Sequence, residues 1–234
     1  MLSPYRECRY GDMYLKYYYK TNIEVASMCC YNTIRFMKLL SQKIYEDGHS
    51  NRSRTSAGVT GMAELWDIYD ENRNLTGRTV ERGQVMQEDE YHLVVQIWVH
   101  NRKGEWLISK RAPGKSHPFK WEPTGGAVTA GENSLQGALR EVQEELGVTL
   151  DAQAGQLFAS FKRGKPTWEN PGFLDVWVFE AEVDIASVRL QEEETCDAKW
   201  ATEEEILEMI EKDEFIPMKV HPYYKDVFAQ YGKR

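Results

Sequence analysis

The sequence has no long apolar run: nowhere do its 234 residues offer the roughly 20 consecutive apolar positions that a helix needs to cross a bilayer. No membrane is expected among its partners. Cysteine is scarce as well. The four present, Cys8, Cys29, Cys30 and Cys196, form no CxxC pair, which argues against zinc and against a disulfide framework. The opening Met1-Leu-Ser-Pro-Tyr-Arg-Glu lacks the basic-then-apolar pattern of an export signal, so the expected location is cytoplasmic. Positive charge is in deficit, with 29 Lys and Arg against 37 Asp and Glu and a formal net charge of -8. That balance argues against a broad nucleic-acid-binding face, while leaving room for a local basic pocket around a phosphorylated small molecule. The five histidines are scattered and pair into no ligand set; His117 reads as a loop residue.

What is present is enough for a core. Hydrophobic residues make up 41% and aromatics 12%, and the length suits one large domain or a domain with an extension. Residues 1–61 read differently from the rest. Val25, Met28, Ile34, Met37 and Leu40 fall near helical spacing, which predicts a helix over 24–46, and the Ser/Arg/Gly-rich stretch after Asp47 reads as a linker. Two segments are therefore expected: an N-terminal extension, 1–61, and a compact domain, 62–234.

Within that domain the pattern predicts strands at Glu64–Asp70, Tyr91–His100, Glu105–Lys110, Gln156–Lys162, Phe173–Val183 and Asp197–Ala201. Glu71 to Gly77 reads as a turn, and Asn101-Arg-Lys-Gly as the loop of a hairpin. A helix is expected over Asn133–Leu146, stopped by Gly147 at its C-cap. A second should run from Thr202, its cap, to about Ile210, with Glu205 completing a capping box. Strands, one helix, more strands and a closing helix describe an α/β (α+β) fold with a mixed sheet between helices.

The chemistry concentrates between Gly126 and Val148. At about 100° per residue, Leu135, Ala138, Leu139, Val142 and Leu146 form one stripe that should pack on the sheet, and Glu141, Glu144 and Glu145 fall together on the far side. Three carboxylates on one face repel one another. Arg140 offsets part of that, and a divalent cation is the stronger candidate for the rest. A dense set of oxygen donors suits Mg²⁺ or Mn²⁺, with substrate phosphate oxygens completing the shell. A run such as Arg-Glu-Val-Gln-Glu-Glu-Leu is, by itself, commonly a solvated helix face. The whole pattern is more specific. From Gly126, five residues lead to Glu132, and seven more to Arg140-Glu141; then come an aliphatic, any residue, Glu144-Glu145, any residue, Gly147 and an aliphatic.

That segment resembles an intact Nudix box, and the resemblance extends over roughly Glu64 to Pro217. It implies the Nudix α/β/α sandwich and a hydrolase acting on a diphosphate linkage in a small molecule, such as a nucleoside-diphosphate derivative. It implies Glu141, Glu144 and Glu145 as metal ligands, assisted by the carbonyl of Gly126. Arg140 would orient the glutamates, Glu132 would hold the loop, and Gly125, Gly126 and Gly131 would allow its tight path. Homodimers are common in the family, so a second copy is one expected partner.

Trp66-Asp-Ile-Tyr-Asp-Glu, Arg111, Lys115, Pro118 and Trp121 are most similar to the isopentenyl-diphosphate-isomerase-like branch. Arg111 and Lys115 lie beyond the hairpin strand, where two cations could grip a diphosphate; ordinary surface charge is the alternative. Trp121 is either a stacking platform or a core residue. The catalytic cysteine of that branch is missing from Glu122–Val128, whereas the box is complete, which favours hydrolysis over isomerisation. A non-catalytic nucleotide sensor is the third reading, disfavoured by the intact box. The resemblance also implies a general base in the loop Glu192-Glu193-Glu194; Glu193 is the choice among the three.

Overall fold

The computed structural model describes residues 63–164, 171–218 and 222–232. The helix expected over 24–46 and the linker after it lie outside the described residues. Among the described residues, nine strands and three α-helices follow one another: β1 (Leu65–Tyr69), β2 (Leu75–Glu81), β3 (His92–His100), β4 (Trp106–Arg111), β5 (Trp121–Glu122), β6 (Gly125–Ala127), α1 (Ser134–Leu146), β7 (Gly155–Arg163), β8 (Gly172–Glu180), β9 (Thr195–Ala201), α2 (Glu203–Glu211) and α3 (Tyr224–Tyr231).

The centre is β3, hydrogen-bonded in parallel to β8 along its whole length. Side chains alternate strictly between its two faces. Leu93, Val95, Ile97 and Val99 join Val142 and Leu146 of α1 in one cluster. Trp98 joins Ile206 of α2 and Phe228 of α3 in the other. Both faces of the strand are covered, so its text is nearly continuous in apolar residues. The mixed sheet between helical layers is the sandwich expected from the sequence.

Strands β3 and β4 pair only beside their connecting loop, at Val99–Leu107 and His100–Trp106. Beyond that they diverge, and the segment 121–127 fills the gap. Its first part, β5, pairs with β4, placing Glu122 opposite Ser109. Its second part, β6, pairs with β3, placing Gly126 opposite Val95. Pro123, which has no N–H to donate, stands where the segment changes partner. This wedge lies in the layer that α1 packs against, and it carries two of the residues closest to the box carboxylates.

Besides β5 and β6, which the sequence reading does not contain, three elements differ from it. The expected turn from Glu71 to Gly77 contains the start of β2, which pairs antiparallel with β1 as a separate two-stranded sheet. Only Val80 of β2 is buried, so the strand has no apolar alternation to betray it. The strand expected over Phe173–Val183 ends at Glu180. The closing helix α3 was not anticipated; Tyr224, Val227 and Phe228 bury it.

Candidate active site

Both ends of α1 are fixed locally. Asn133 and Gln136 form a reciprocal capping box at the start, and Gly147 closes the end in a left-handed conformation, φ 67°. The face assignment needs correction. Glu141, Glu144 and Glu145 do not share the solvent side: Glu145 is buried at 7% exposure, Glu141 is half-buried, and only Glu144 is open. Glu141 and Glu145 lie on the flank that faces the wedge.

Gly126 explains how that is possible. A β-carbon there would stand 2.4 Å from the carboxyl carbon and from both oxygens of Glu141. The carboxylate therefore rests directly against the glycine backbone. Arg140 binds the surrounding acids in one fan. It donates to both oxygens of Glu132 at 3.0 Å, to Glu141 at 2.9 Å, to Glu144 at 2.8 Å, and to the carbonyl of Ala127 at 2.9 Å. Burial works against its charge, but Glu141, Glu132 and Glu144 outweigh that and hold its pKa above the ordinary value.

Glu145 has no such partner. Its Oε2 is buried without a hydrogen bond, and so is the hydroxyl of Ser109 on the wedge side. Burial, then the charges of Glu122, Glu141 and Glu194, push the Glu145 carboxyl well above the usual carboxylate range, with Lys115 opposing. Glu141 is pushed up to about 7, chiefly by burial and against the pull of Arg140. Buried carboxylates with an orphaned oxygen fit a divalent cation. Among the described residues no three His, Cys, Asp or Glu side chains converge into a ready-made cage. One nitrogen of Arg140 donates to both Glu141 and Glu144. Mg²⁺ needs no all-protein cage, since it keeps waters and takes substrate oxygens.

Arg111 and Lys115 do reach this region, but each is already engaged. Arg111 donates to both oxygens of Glu122, at 2.6 and 2.8 Å, and to the carbonyl and hydroxyl of Ser116. Lys115 forms an ion pair with Glu194. Of the three consecutive glutamates, Glu192 and Glu193 are exposed, whereas Glu194 is half-buried and lends its charge to Glu145 and Glu122. Trp121 stands on the other face of the sheet. It pairs with Lys110, packs against the cluster under α2 and α3, and has the ammonium groups of Lys110 and Lys199 at 5.4 and 4.8 Å from its ring.

Sequence reasoning missed Glu122 as a site residue. Its neighbour Trp121 drew attention, yet strand alternation alone puts Glu122 on the opposite face, toward α1. The β1–β2 hairpin was missed too. It is tied to the box loop by Ala130 N–H to the Leu65 carbonyl, 2.8 Å, and by Gly131 N–H to Asp67, 2.7 Å.

The NUDIX domain family model matches residues 90–222. The chain belongs to the Nudix family. A Nudix hydrolase of Listeria monocytogenes is 38% identical over 156 residues, covering 66% of this chain and 89% of its own. Nudix hydrolase 3 of Arabidopsis thaliana is 31% identical over 179 residues, covering 73% of this chain and 22% of its own. The bis(5'-nucleosyl)-tetraphosphatase of Sus scrofa is 36% identical over 99 residues, covering 41% and 63%. A crystal structure from Deinococcus radiodurans superposes with a TM-score of 0.53 at 25% identity, covering 65% of this chain and 91% of that one. With these relatives, this Nudix chain is a pyrophosphohydrolase.

Proposed function

We propose that this Nudix enzyme is Mg²⁺-dependent, with Mn²⁺ as the substitute, and cleaves a diphosphate linkage in a small molecule such as a nucleoside-diphosphate derivative or another organic diphosphate. The observation that carries the reading is the buried flank of α1. There Glu141 lies against the Gly126 backbone, and Glu145 keeps a buried oxygen without a partner. Glu141, Glu145 and the more exposed Glu144 are the metal donors, with the Gly126 carbonyl beside them. The bound cation would neutralise charge developing on the phosphoryl oxygens.

The protein supplies the rest. Arg140 fixes the directions of Glu141 and Glu144, and Glu132 holds Arg140. Glu194, rather than Glu193, takes the proton from the attacking water as its oxygen bonds to phosphorus and the bridging P–O bond breaks. Lys115 holds the Glu194 carboxylate at the cleft. Glu122, gripped by Arg111, backs Glu145 and keeps that wall of the site in place. A hydrolysis screen with Mg²⁺ over nucleoside diphosphate derivatives, prenyl diphosphates and thiamine diphosphate tests the class. Within it, Glu145→Gln should lower turnover at least about 10²-fold while the fold survives. Near-wild-type turnover of that variant at saturating Mg²⁺ would remove Glu145 from the donor set.

A further inference from the structure

Four basic side chains surround the carboxylates, and they differ in what remains of their hydrogen-bonding capacity. Arg140 is shared among Glu132, Glu141, Glu144 and the Ala127 carbonyl. Arg111 is closed off by Glu122 and Ser116. Lys115 is paired with Glu194. The fourth is Arg82, at the open end of the β1–β2 hairpin. Its guanidinium meets Glu64 through Nη1, at 2.6 Å, and its side chain is 53% exposed. A guanidinium has five N–H donors in a planar fork, so most of this one stays available to an anion.

The hairpin's position is fixed at both ends. At the turn, Arg73 binds buried Asp175 of β8 with two hydrogen bonds. Along its length, Trp66 stacks on His92, and the two backbone bonds to Ala130 and Gly131 tie it to the box loop. At the open end, Glu64 accepts from Trp66 Nε1 at 2.8 Å and from Arg82, and the Arg82 N–H donates to the Glu64 carbonyl. Arg82 feels the charges of Glu194 and Glu141, Glu64 feels that of Arg140, and Glu141 feels that of Glu64. The hairpin end thus lies beside the box.

We propose that Arg82 is a phosphate-binding residue of this enzyme, with Glu64 and Trp66 as the pair that aims it. Its ligand class is the diphosphate of the substrate, gripped by the planar fork while the carboxylates serve the cation. The inference rests on the diphosphatase reading above.

Two measurements on the full chain separate the two claims. Binding of methylene diphosphonate, a non-hydrolysable diphosphate, is measured by calorimetry with Mg²⁺ for wild type, Arg82→Ala, Arg82→Lys and Glu145→Gln. The same Arg82 variants are then assayed on whichever diphosphate the wild type cleaves. Arg82→Ala should weaken diphosphonate binding about 10- to 100-fold and raise KM more than it lowers kcat, with Tm within a few degrees of wild type. Arg82→Lys should recover only part, because an ammonium is not a fork. Added guanidinium should partly restore Arg82→Ala. Unchanged diphosphonate binding in Arg82→Ala overturns the assignment, whatever the enzyme's activity. Loss of binding in both Arg82→Ala and Glu145→Gln, with none of the screened diphosphates cleaved by wild type, would retain Arg82 as an anion site and sink the proposed substrate class instead.

Discussion

Replacing Gly126 with alanine puts a methyl group where the Glu141 carboxylate now lies. The added carbon would stand 2.4 Å from that carboxyl group, whereas ordinary contact begins near 3.4 Å, so one side must yield by 3.4 − 2.4, or 1.0 Å. The backbone of Gly126 is held in the ladder opposite Val95 and gives little. The carboxylate is the flexible end, and it will move, abandoning the 2.9 Å bond from Arg140. A misplacement of about 1 Å at a reacting centre costs on the order of 10² in rate. Stability should fall by only about 1 kcal/mol, the worth of one hydrogen bond. Turnover against Mg²⁺ concentration, with Tm measured alongside, reads both effects. Gly131→Ala in the same loop should show the reverse pattern. Its backbone has φ 87°, which an alanine adopts only with strain, yet nothing lies within 4 Å of the added carbon. Its Tm should drop, and its turnover should fall less than tenfold. Turnover of Gly126→Ala within about threefold of wild type would refute the claim that Glu141 must rest on bare backbone.

Titration of Glu141 gives a second expectation. The folded protein keeps this proton up to a pH of about 7, whereas the ordinary value is 4.5, so folding is favoured at low pH and that contribution is lost as pH rises through this window. With chelator present, wild type should lose Tm between those pH values relative to Glu141→Gln, and Mg²⁺ should remove the difference; parallel profiles would refute it. Arg73→Leu should cost about 3–5 kcal/mol, because it leaves the wholly buried Asp175 without its partner. Denaturant melts check this, and a loss below about 1 kcal/mol would show that the Arg73–Asp175 pair does not anchor the hairpin. A chain starting at Met62 should fold, melt within a few degrees of full length and hydrolyse the same substrate. A loss above about 2 kcal/mol, several degrees in Tm, would place residues 1–61 in the domain's core.

The box helix was legible because everything that defines it is local. Asn133 and Gly147 mark its ends, and a 3.6-residue period marks its apolar stripe. The strands β3 and β4 were legible for the same reason, and Thr202 and Glu205 announced α2. The box itself named Glu141, Glu144, Glu145 and Arg140 without reference to anything distant. Which of those carboxylates lose water was decided elsewhere. The wedge 121–127 exists because β3 and β4 separate, and that separation is a property of the sheet, not of the segment's own residues. It is the wedge that buries Glu141 and Glu145 and leaves Glu144 outside. Likewise Arg111 and Lys115 looked like free cations in the sequence, since a basic residue carries no mark of the acid that will meet it. Glu122 reaches Arg111 only once β5 pairs with β4, and Glu194 reaches Lys115 only once the distant β9 does. Strand β2, polar and glycine-containing, had no periodicity of its own. Its place, and with it the position of Arg82 beside the cleft, follows from docking onto the box loop and onto Asp175, contacts between residues far apart in the chain that no local pattern can encode.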